Sequence, residues 1–376
     1  MKYQLLPLLL VACAPPELDV FTTLDISLVD TPEAANEVFL DLFDKAEDSL
    51  HVALPSGEDT TITDALIDSW ERGVDVEVVT DIDHQDDAGI VDLFDAQVPV
   101  QLADGAVTYF DFGFNQPVAW DSEDVIMSDS YAIADGVQLV NASAIGDLDL
   151  GERIIFEVVS PDLSYDLELE HNQLFGGADA TSLTLYSSMQ KSIADYRWHY
   201  STQSDVMLEM WLGPQERLIK RIIDSVYSAR ASVWVLTNDF ATEGMAVAMQ
   251  TKAEHGFDVQ VVVGPDFEKS SSALSKVLKQ ETKDVDKYQV DTARVPTVVL
   301  IDYDVARDGN RYPAKAFVLS HDLFSAARLY RVSEVVSDQL IDGNLWVLND
   351  ASGELSDEML SLQDVWDRHL DMAEEM

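Results

Sequence analysis

Residues 81–87 combine four carboxylates with one imidazole, in the side chains of Asp81, Asp83, His84, Asp86 and Asp87. Carboxylate oxygens together with a histidine can hold a divalent cation. The group directly follows a predicted strand, where α/β proteins commonly place their ligands. Its spacing matches no regular ligand motif, however, and 70 of the 376 residues are acidic. A solvated acidic loop is therefore the simpler interpretation, and a metal site is the alternative.

A second acidic segment runs from Asp302 through Asp304 and Asp308 to Asn310. Its composition is that of a calcium loop, but its spacing departs from the EF-hand pattern and the terminal Glu of that pattern is missing. We therefore predict a turn. The sequence also has no Gly-rich phosphate loop, zinc-binding pattern or Gly-x-Ser-x-Gly elbow, so we expect no cofactor.

Cys13 is the only cysteine of the chain, and it follows a short apolar run at residues 5–11 and the small residue Ala12. This arrangement resembles the lipobox of bacterial lipoproteins, in which the signal peptidase cuts before the cysteine and the thiol carries diacylglycerol. The apolar run is far shorter than the ~20 residues of a spanning helix. The resemblance implies that residues 1–12 are a signal peptide and that Cys13 is lipidated. An ordinary secretory signal with a chance cysteine is the alternative.

Several acyl chains on one residue would anchor the mature chain stably in a membrane. The residue after the cysteine is Ala14 rather than Asp, which by the convention of bacterial lipoproteins implies the outer membrane rather than the inner one. We therefore expect a lipid-anchored protein of the bacterial cell envelope, with residues 13–30 as the lipidated cysteine and tether. With Cys13 lipidated no disulfide can form, so packing must stabilise the fold.

The charge of the chain limits its partners. There are 23 basic and 70 acidic residues, which gives a net charge of −47. Such a field repels nucleic acids and anionic surfaces, so we expect no nucleic-acid partner. The acidic residues are scattered along amphipathic segments rather than collected in a tail. This distribution is typical of a solvated acidic surface, of the kind found on proteins from salty habitats.

The elements that would position these residues follow an α/β pattern, because apolar spacing alternates between helical and strand periods. Residues 32–48 predict a helix with Thr31 as N-cap, residues 49–54 a strand, residues 61–72 a helix that Gly73 ends, and residues 74–79 a strand. The same order of elements recurs at residues 214–263. Each copy alone would leave one face of its sheet open, so the duplication predicts two lobes packed together.

The sequence of these elements is similar to that of a known superfamily. Residues 45–53 and 65–76 resemble the opening of a phospholipase D-like lobe, and residues 224–235 resemble the opening of its partner lobe. The likeness extends over residues 33–370. It implies an α/β, duplicated phospholipase D/nuclease-like fold, in which two lobes pack with pseudo-twofold symmetry. The first lobe would span residues 31–200 and the second residues 201–376.

Each lobe of this superfamily carries a His-x-Lys-x4-Asp motif, followed by a Gly-Ser-x-Asn stretch and a later Glu. In the first lobe the three motif positions hold Ser128, Ser130 and Asp135. Asn141 and Glu152 fall on the later polar positions. The resemblance thus implies that this lobe keeps the Asp and lacks the His and the Lys.

The second lobe departs from the motif in the same way. Its three positions hold Val295, Thr297 and Asp302, and Ser320 and Glu334 follow them. The superfamily mechanism needs one imidazole as nucleophile, a second as general acid and two lysines to neutralise the phosphoryl oxygens. None of the seven histidines of this chain is followed two residues later by lysine. We therefore interpret the chain as a degenerate member.

Two further sets of residues leave alternatives open. His321, with Lys315 and Asp302, could form a rewired catalytic site, although His321 could equally cap or pack a loop. The aromatic stretches at residues 109–114 and 196–200 could line a groove for sugar, lipid or peptide, or could close the core between the lobes.

The sequence therefore favours a membrane-anchored, catalytically degenerate phospholipase D-like lipoprotein that acts as a binding or scaffolding protein. Its ligand, whether lipid, sugar or protein, stays unspecified. The alternative is an enzyme, a phosphodiesterase of phospholipase D type (hydrolase or transferase) with a rewired active site. A third hypothesis is a structural envelope lipoprotein that uses the fold as a rigid body.

Overall fold

The computed structural model describes residues 22–81, 84–103, 126–127, 130–142, 152–175, 199–204, 206–212, 218–238, 243–265, 284–291, 295–320, 341–352 and 354–375. Cys13 and the signal segment lie outside these residues. None of the helices in the described part of the chain combines the length and the apolar character that crossing a membrane requires.

The first lobe is built on a seven-stranded mixed sheet with the order β1-β8-β7-β6-β2-β3-β4. Its strands, together with the separate strand β5, are β1 (Thr23–Val29), β2 (Ser49–Ala53), β3 (Asp75–Asp81), β4 (Val100–Ala103), β5 (Ile126–Met127), β6 (Tyr131–Ala134), β7 (Gln138–Ala142) and β8 (Arg153–Val159). Its helices are α1 (Pro32–Lys45), α2 (Thr60–Arg72), α3 (Ala88–Asp95) and α4 (Pro161–Phe175).

The second lobe is built on a nine-stranded sheet with the order β18-β13-β12-β11-β14-β15-β17-β10-β9. Its strands, together with the separate strand β16, are β9 (His199–Ser201), β10 (Met207–Leu212), β11 (Ser232–Thr237), β12 (Asp258–Val263), β13 (Asp286–Gln289), β14 (Thr297–Ile301), β15 (Ala314–Leu319), β16 (Ile341–Asp342), β17 (Asn344–Asp350) and β18 (Glu374–Glu375). Its helices are α5 (Leu218–Ser228), α6 (Glu243–Glu254) and α7 (Asp357–Met372). β16 pairs in parallel with β5 of the first half.

The two sheets repeat one topology. The order β10-β17-β15-β14-β11-β12-β13 of the second sheet matches β1-β8-β7-β6-β2-β3-β4 of the first, strand for strand. The sense of pairing matches too, since β2-β3-β4 and β11-β12-β13 are parallel and the remaining equivalent pairs are antiparallel. The predicted duplicated α/β fold is confirmed.

Local signals in the sequence set the ends of the first elements. Thr31 accepts a hydrogen bond from the amide of Ala34 and precedes a proline, so it caps α1 as predicted. The helix ends at Lys45, three residues before the predicted end at 48, because Ala46 is extended and the chain must turn into β2. Gly73 adopts a left-handed conformation (φ 93°) that ends α2, as predicted.

Alternation along the strands divides the buried side chains into three layers. On β6, Ala132 packs with α1 and α2 in the outer core of the first lobe, whereas Tyr131 and Ile133 face the second lobe. On β14, Val299 faces the outer core around α5 and α6, whereas Val298 faces the first lobe. The middle layer thus draws on both sheets and on helices α4 and α7. It joins the lobes in one body.

Phe156 and Trp346 mark the symmetry axis within this middle layer. Phe156 pairs with Asn141, and Trp346 pairs with Val318, at the same register of the two sheets. The two residues are therefore equivalent, yet their rings also stack on each other with centroids 5.1 Å apart. Equivalent residues contact each other only where the axis that relates them passes, so the pseudo-twofold axis runs between these rings.

Candidate functional site

Asp135 and Asp302, the motif aspartates, occupy equivalent positions at the ends of β6 and β14. Both have left-handed backbones, with φ 53° and φ 61°. Oδ1 of Asp135 accepts hydrogen bonds from the amides of Asp48 (2.8 Å) and Ser49 (3.0 Å), at the start of β2. Each aspartate thus ties the end of one central strand to the start of its neighbour in its lobe, a positioning role.

Asp302 makes the same contacts in a more buried setting. Its Oδ1 accepts hydrogen bonds from the amides of Arg230 (2.7 Å), Ala231 (2.6 Å) and Ser232 (3.4 Å). For Asp135, burial opposes ionisation, but the amides of Ser49, Asp48 and Glu47 outweigh it and hold the pKa of the carboxyl below its ordinary value. Both carboxylates are thus occupied by backbone donors.

The described His and Lys positions of the motifs hold small, buried, uncharged side chains. Ser130 is buried, and its carbonyl accepts a hydrogen bond from the side chain of Asn141 at 2.9 Å. Thr297 is buried with its hydroxyl 3.4 Å from that of Thr237. Ser128 lies outside the described residues. Neither position carries the imidazole or the amine of the superfamily motif.

The backbone at Val295 is clamped by one side chain. The amide of Val295 donates to Oδ1 of Asn238, and Nδ2 of Asn238 donates to the carbonyl of Val295, both at 2.6 Å. Val295 itself is buried in the middle layer between the lobes. This position therefore contributes packing where the superfamily motif has an imidazole.

The later polar positions serve different contacts. Oε2 of Glu152 lies 2.7 Å from Nε2 of His369 on α7, and Oε1 lies 3.8 Å from Arg368, so Glu152 pairs with the second lobe. The hydrogen bond from His369 lowers the pKa of Glu152, although partial burial opposes the shift. The hydroxyl of Ser320 accepts from the amide of Asn344 at 3.0 Å. Glu334 lies outside the described residues.

The described members of the rewired alternative do not face the middle layer together. Lys315 lies on the same face of β15 as Phe317 and Leu319, and these two residues pack in the outer core of the second lobe. The carboxylate of Asp302 is held by backbone amides. His321 lies outside the described residues, so this alternative stays a hypothesis.

The acidic segment after β3 links two loops. Nδ1 of His84 lies 3.0 Å from Oδ2 of Asp87, and the same oxygen accepts from Ser56 (3.1 Å) and from the amide of Gly57 (3.0 Å). Asp83 lies outside the described residues. Within the described part of the segment, the side-chain oxygens and nitrogens of Asp81, His84 and Asp86 do not lie close enough together to bind one metal ion.

The segment at residues 302–310 is a turn, as predicted. Oδ1 of Asp308 accepts from the amide of Asn310 at 2.9 Å, and Oδ2 accepts from the hydroxyl of Tyr312 at 2.9 Å. Gly309 has a left-handed backbone, with φ 79°. Asp304 and Asp308 thus make hydrogen bonds within the segment, whereas Asp302 accepts from the amides of residues 230–232.

A different group of ionisable side chains lies between the first sheet and α4. It consists of His51 on β2, Glu77 on β3, and Glu168 and His171 on α4. One nitrogen of each histidine and one oxygen of Glu77 lie within 4.8 Å of one another. Nδ1 of His51 lies 2.5 Å from Oε2 of Glu168, and the two imidazole rings stack with centroids 5.1 Å apart. We call these four residues the His–Glu cluster.

The pKa values of the two imidazoles are shifted in opposite directions. His171 is fully buried, and burial, with the neighbouring His51, holds its pKa well below the ordinary value. Burial also acts to lower the pKa of His51, but the hydrogen bond and charge of Glu168 reverse the effect and raise it. Burial raises the pKa of Glu77, against the attraction of His51. The structure thus holds a neutral imidazole beside a protonatable one.

The sequence predicts no site at these four residues, because three different elements supply them. The one local signal is the Glu-x-x-His spacing of Glu168 and His171, which puts both side chains on one face of a helix. His51 and Glu77 meet only through the parallel register of β2 with β3.

Comparisons with known proteins bear on the fold. Neither a protein-family model nor a curated protein matches the chain. The crystal structure of phosphatidylserine synthase from Haemophilus influenzae Rd KW20 superposes with a TM-score of 0.61 at 9% identity, over 93% of this chain and 87% of that one. Polyphosphate kinase from Porphyromonas gingivalis gives a TM-score of 0.54 at 10% identity, over 93% of this chain. This chain spans only 50% of that kinase. At these identities the likeness establishes the fold alone, which is the duplicated, phospholipase D-like α/β fold.

Proposed function

We propose that the chain is a membrane-anchored lipoprotein whose phospholipase D-like body binds or scaffolds and does not cleave phosphodiesters. One observation carries the proposal: the motif aspartates keep their structural contacts while the described reactive positions hold buried, uncharged side chains. Asp135 and Asp302 still hold the central strands. Ser130, Val295 and Thr297 stand where the chemistry needs imidazole and amine groups.

The missing groups belong to every step of the superfamily mechanism. Without an imidazole there is no nucleophile on phosphorus and no acid for the leaving oxygen. Without the lysines, no positive side chain neutralises the negative charge that develops on the phosphoryl oxygens. Each loss alone raises the barrier by several kcal/mol, about 1.4 kcal/mol for each tenfold loss of rate, so together they remove the catalytic advantage of the site.

The anchor supports a role at a membrane surface. The described body begins at Thr22, nine positions after Cys13. Nine extended residues reach about 30 Å at most, so the lipid on Cys13 would keep the body close to the bilayer. With a net charge of −47, the body would be repelled by anionic lipid headgroups and would stand off the surface on this tether.

A turnover assay on the full mature protein in detergent micelles tests the proposal. We expect no hydrolysis of bis(p-nitrophenyl) phosphate or of phosphatidylcholine, with or without a divalent cation, under conditions in which an active phospholipase D turns over both. Turnover that His321→Ala abolishes and His255→Ala leaves intact would establish the rewired enzyme instead. His255 is the matched control because it lies on the second lobe with its Nδ1 on the carbonyl of Thr251.

A further inference from the structure

We propose that His51, Glu77 and His171 form a binding site for one divalent transition-metal ion of the zinc type. Glu168 would act as the carboxylate that orients His51. The site uses none of the motif positions, so the inference holds whether or not phosphodiester chemistry is lost.

The spacing of the three ligand atoms suits one ion. They lie within 4.8 Å of one another. A tetrahedral ion with bonds of about 2.1 Å holds its ligand atoms about 3.4 Å apart. To close this difference the three side chains must move together, and one imidazole must also turn, because the two rings are nearly parallel (9°) and each nitrogen lone pair lies in its ring plane. The backbone can stay in place, because β2 and β3 are paired and α4 packs on both strands.

The nitrogen that each imidazole can offer is defined by its other nitrogen. Nδ1 of His51 is taken by Glu168, which leaves Nε2 for a ligand. Nδ1 of His171 lies 3.4 Å from the hydroxyl of Tyr131. A carboxylate or hydroxyl on the far nitrogen of a metal-binding histidine fixes its ring orientation, and this is the usual second layer of a metal site.

Nε2 of His171 is the strongest single pointer to a ligand. The residue is fully buried, and among the described residues this nitrogen has no hydrogen-bond partner. The nearest carboxylate oxygen is that of Glu77 at 3.8 Å, which is too far for a hydrogen bond. A buried polar atom without a partner costs about 1–3 kcal/mol. An ion between Nε2 and Glu77 would satisfy both groups.

The second lobe shows what the fold requires at this place. By register, His51 and Glu77 are equivalent to Trp234 and Gln260. The ring of Trp234 stacks on Trp366 of α7, with centroids 5.8 Å apart. The ring of His51 stacks in the same way on His171 of α4. In the second lobe this place is filled by the stacked indole rings and by a hydrogen bond from Nε1 of Trp234 to Asp258 at 2.6 Å, without imidazoles. The imidazoles and carboxylates of the first lobe are not needed for the fold.

The donor set selects the class of ion. Two imidazole nitrogens with one carboxylate oxygen suit Zn²⁺ and its neighbours in the transition series, whereas Ca²⁺ and Mg²⁺ prefer oxygen ligands throughout. The side chains of His51 and Glu77 remain 16% and 21% exposed. A fourth coordination position could therefore reach solvent and take a water molecule or an oxygen of a bound molecule.

Calorimetric titration of the full mature protein with Zn²⁺ tests the site, after dialysis against a chelator. The titration is run in 0.5 M salt with excess Mg²⁺, because the acidic surface adsorbs cations without specificity. We expect one equivalent to bind tightly and to raise the unfolding temperature in proportion to ln(1 + [Zn²⁺]/Kd). Co²⁺ in place of Zn²⁺ should give the visible absorption of a low-symmetry, nitrogen-ligated site.

Glu77→Gln is the central variant, because it copies Gln260 of the second lobe and keeps the shape of the side chain. We expect it to weaken binding at least 100-fold without lowering the stability of the metal-free protein. Glu168→Gln should weaken binding about 10- to 100-fold through the orientation of His51. His84→Gln, which removes the imidazole of the acidic segment after β3, is the matched control and should bind like the unchanged protein.

Two results would overturn the proposal. One is weak binding of several equivalents that salt displaces, which is adsorption to the acidic shell. The other is one tight site that Glu77→Gln and His51→Gln leave unchanged while His84→Gln removes it. Zinc-dependent phosphodiester turnover would contradict the proposed loss of catalysis but would leave the metal site standing, so the two proposals fail separately.

Discussion

Phe156 and Trp346 stack across the pseudo-twofold axis, with planes 17° apart, and both side chains are buried. One ring comes from β8 and the other from the equivalent strand β17, so the pair belongs to both lobes at once. The lobes therefore share a core and do not merely touch. This relationship predicts how the protein unfolds.

Trp346→Ala should destabilise both lobes together, by about 3–5 kcal/mol, because it leaves a large cavity in the shared layer. In the unchanged protein, tryptophan fluorescence and far-UV circular dichroism should report one coincident urea transition. Trp70→Ala is the control, since Trp70 is partly buried at the edge of the outer core of the first lobe and should cost less. Two separate transitions would show that the lobes fold independently.

Replacing the motif aspartates should cost stability in a fixed order. Asp302→Ala leaves largely buried amides without an acceptor and puts alanine at φ 61°, so we expect a loss of about 3 kcal/mol. Asp135→Ala should lose about 1–2 kcal/mol, because its amide donors are exposed to water. Denaturant unfolding measures both.

The asparagine variants at these positions separate conformation from charge. Asn tolerates a left-handed backbone and keeps one acceptor oxygen, so Asp302→Asn and Asp135→Asn should each cost less than the corresponding alanine. Equal losses for all four variants would contradict a role for the amide contacts.

Glu152→Gln should weaken the contact between the lobes in a pH-dependent way. The pKa of Glu152 is lowered in the fold, so its ionised form stabilises the protein above the pKa of the unfolded chain, about 4.3. This stabilisation is lost as the pH falls through the folded pKa. Against the unchanged protein, Glu152→Gln should therefore lose about 1 kcal/mol near neutral pH and progressively less below pH 4.

Asp30→Asn is the matched control for Glu152. Asp30 pairs with the same Arg368 at 2.7 Å, but its side chain is 65% exposed. An exposed pair contributes little, so we expect a change within about 0.5 kcal/mol at every pH. A difference between Glu152→Gln and the unchanged protein that does not vary with pH would show that the carboxylate charge is not involved.

Much of the framework was predictable because its signals are local. Gly73 ends a helix through its own backbone preference, and the strand and helix periods repeat within each half of the chain. Asp135 and Asp302 were placed by a linear motif. The His–Glu cluster was not predictable in this way, because His51, Glu77 and His171 are separated along the chain and meet only through strand register and the docking of α4.

The same reason limits what the motif alone could say about Glu152. Its partner His369 is on the last helix of the chain, and no spacing relates the two. The stack of Phe156 on Trp346 likewise depends on how two sheets face each other. Such a contact on the pseudo-twofold axis can be located once the fold is known. No local pattern in the sequence indicates it beforehand.

The last prediction concerns the proposed lipid anchor, which depends on Cys13 alone. Cys13→Ser removes the thiol that would carry diacylglycerol, so expression in a two-membrane bacterium should move the protein from the membrane fraction to the soluble fraction. Ala14→Asp is the control: it keeps the thiol and, by the lipoprotein sorting convention, should leave the protein membrane-bound but shift it to the inner membrane. Separating both membranes on a density gradient measures all three proteins. Membrane association that survives Cys13→Ser would contradict lipidation of Cys13 as its cause.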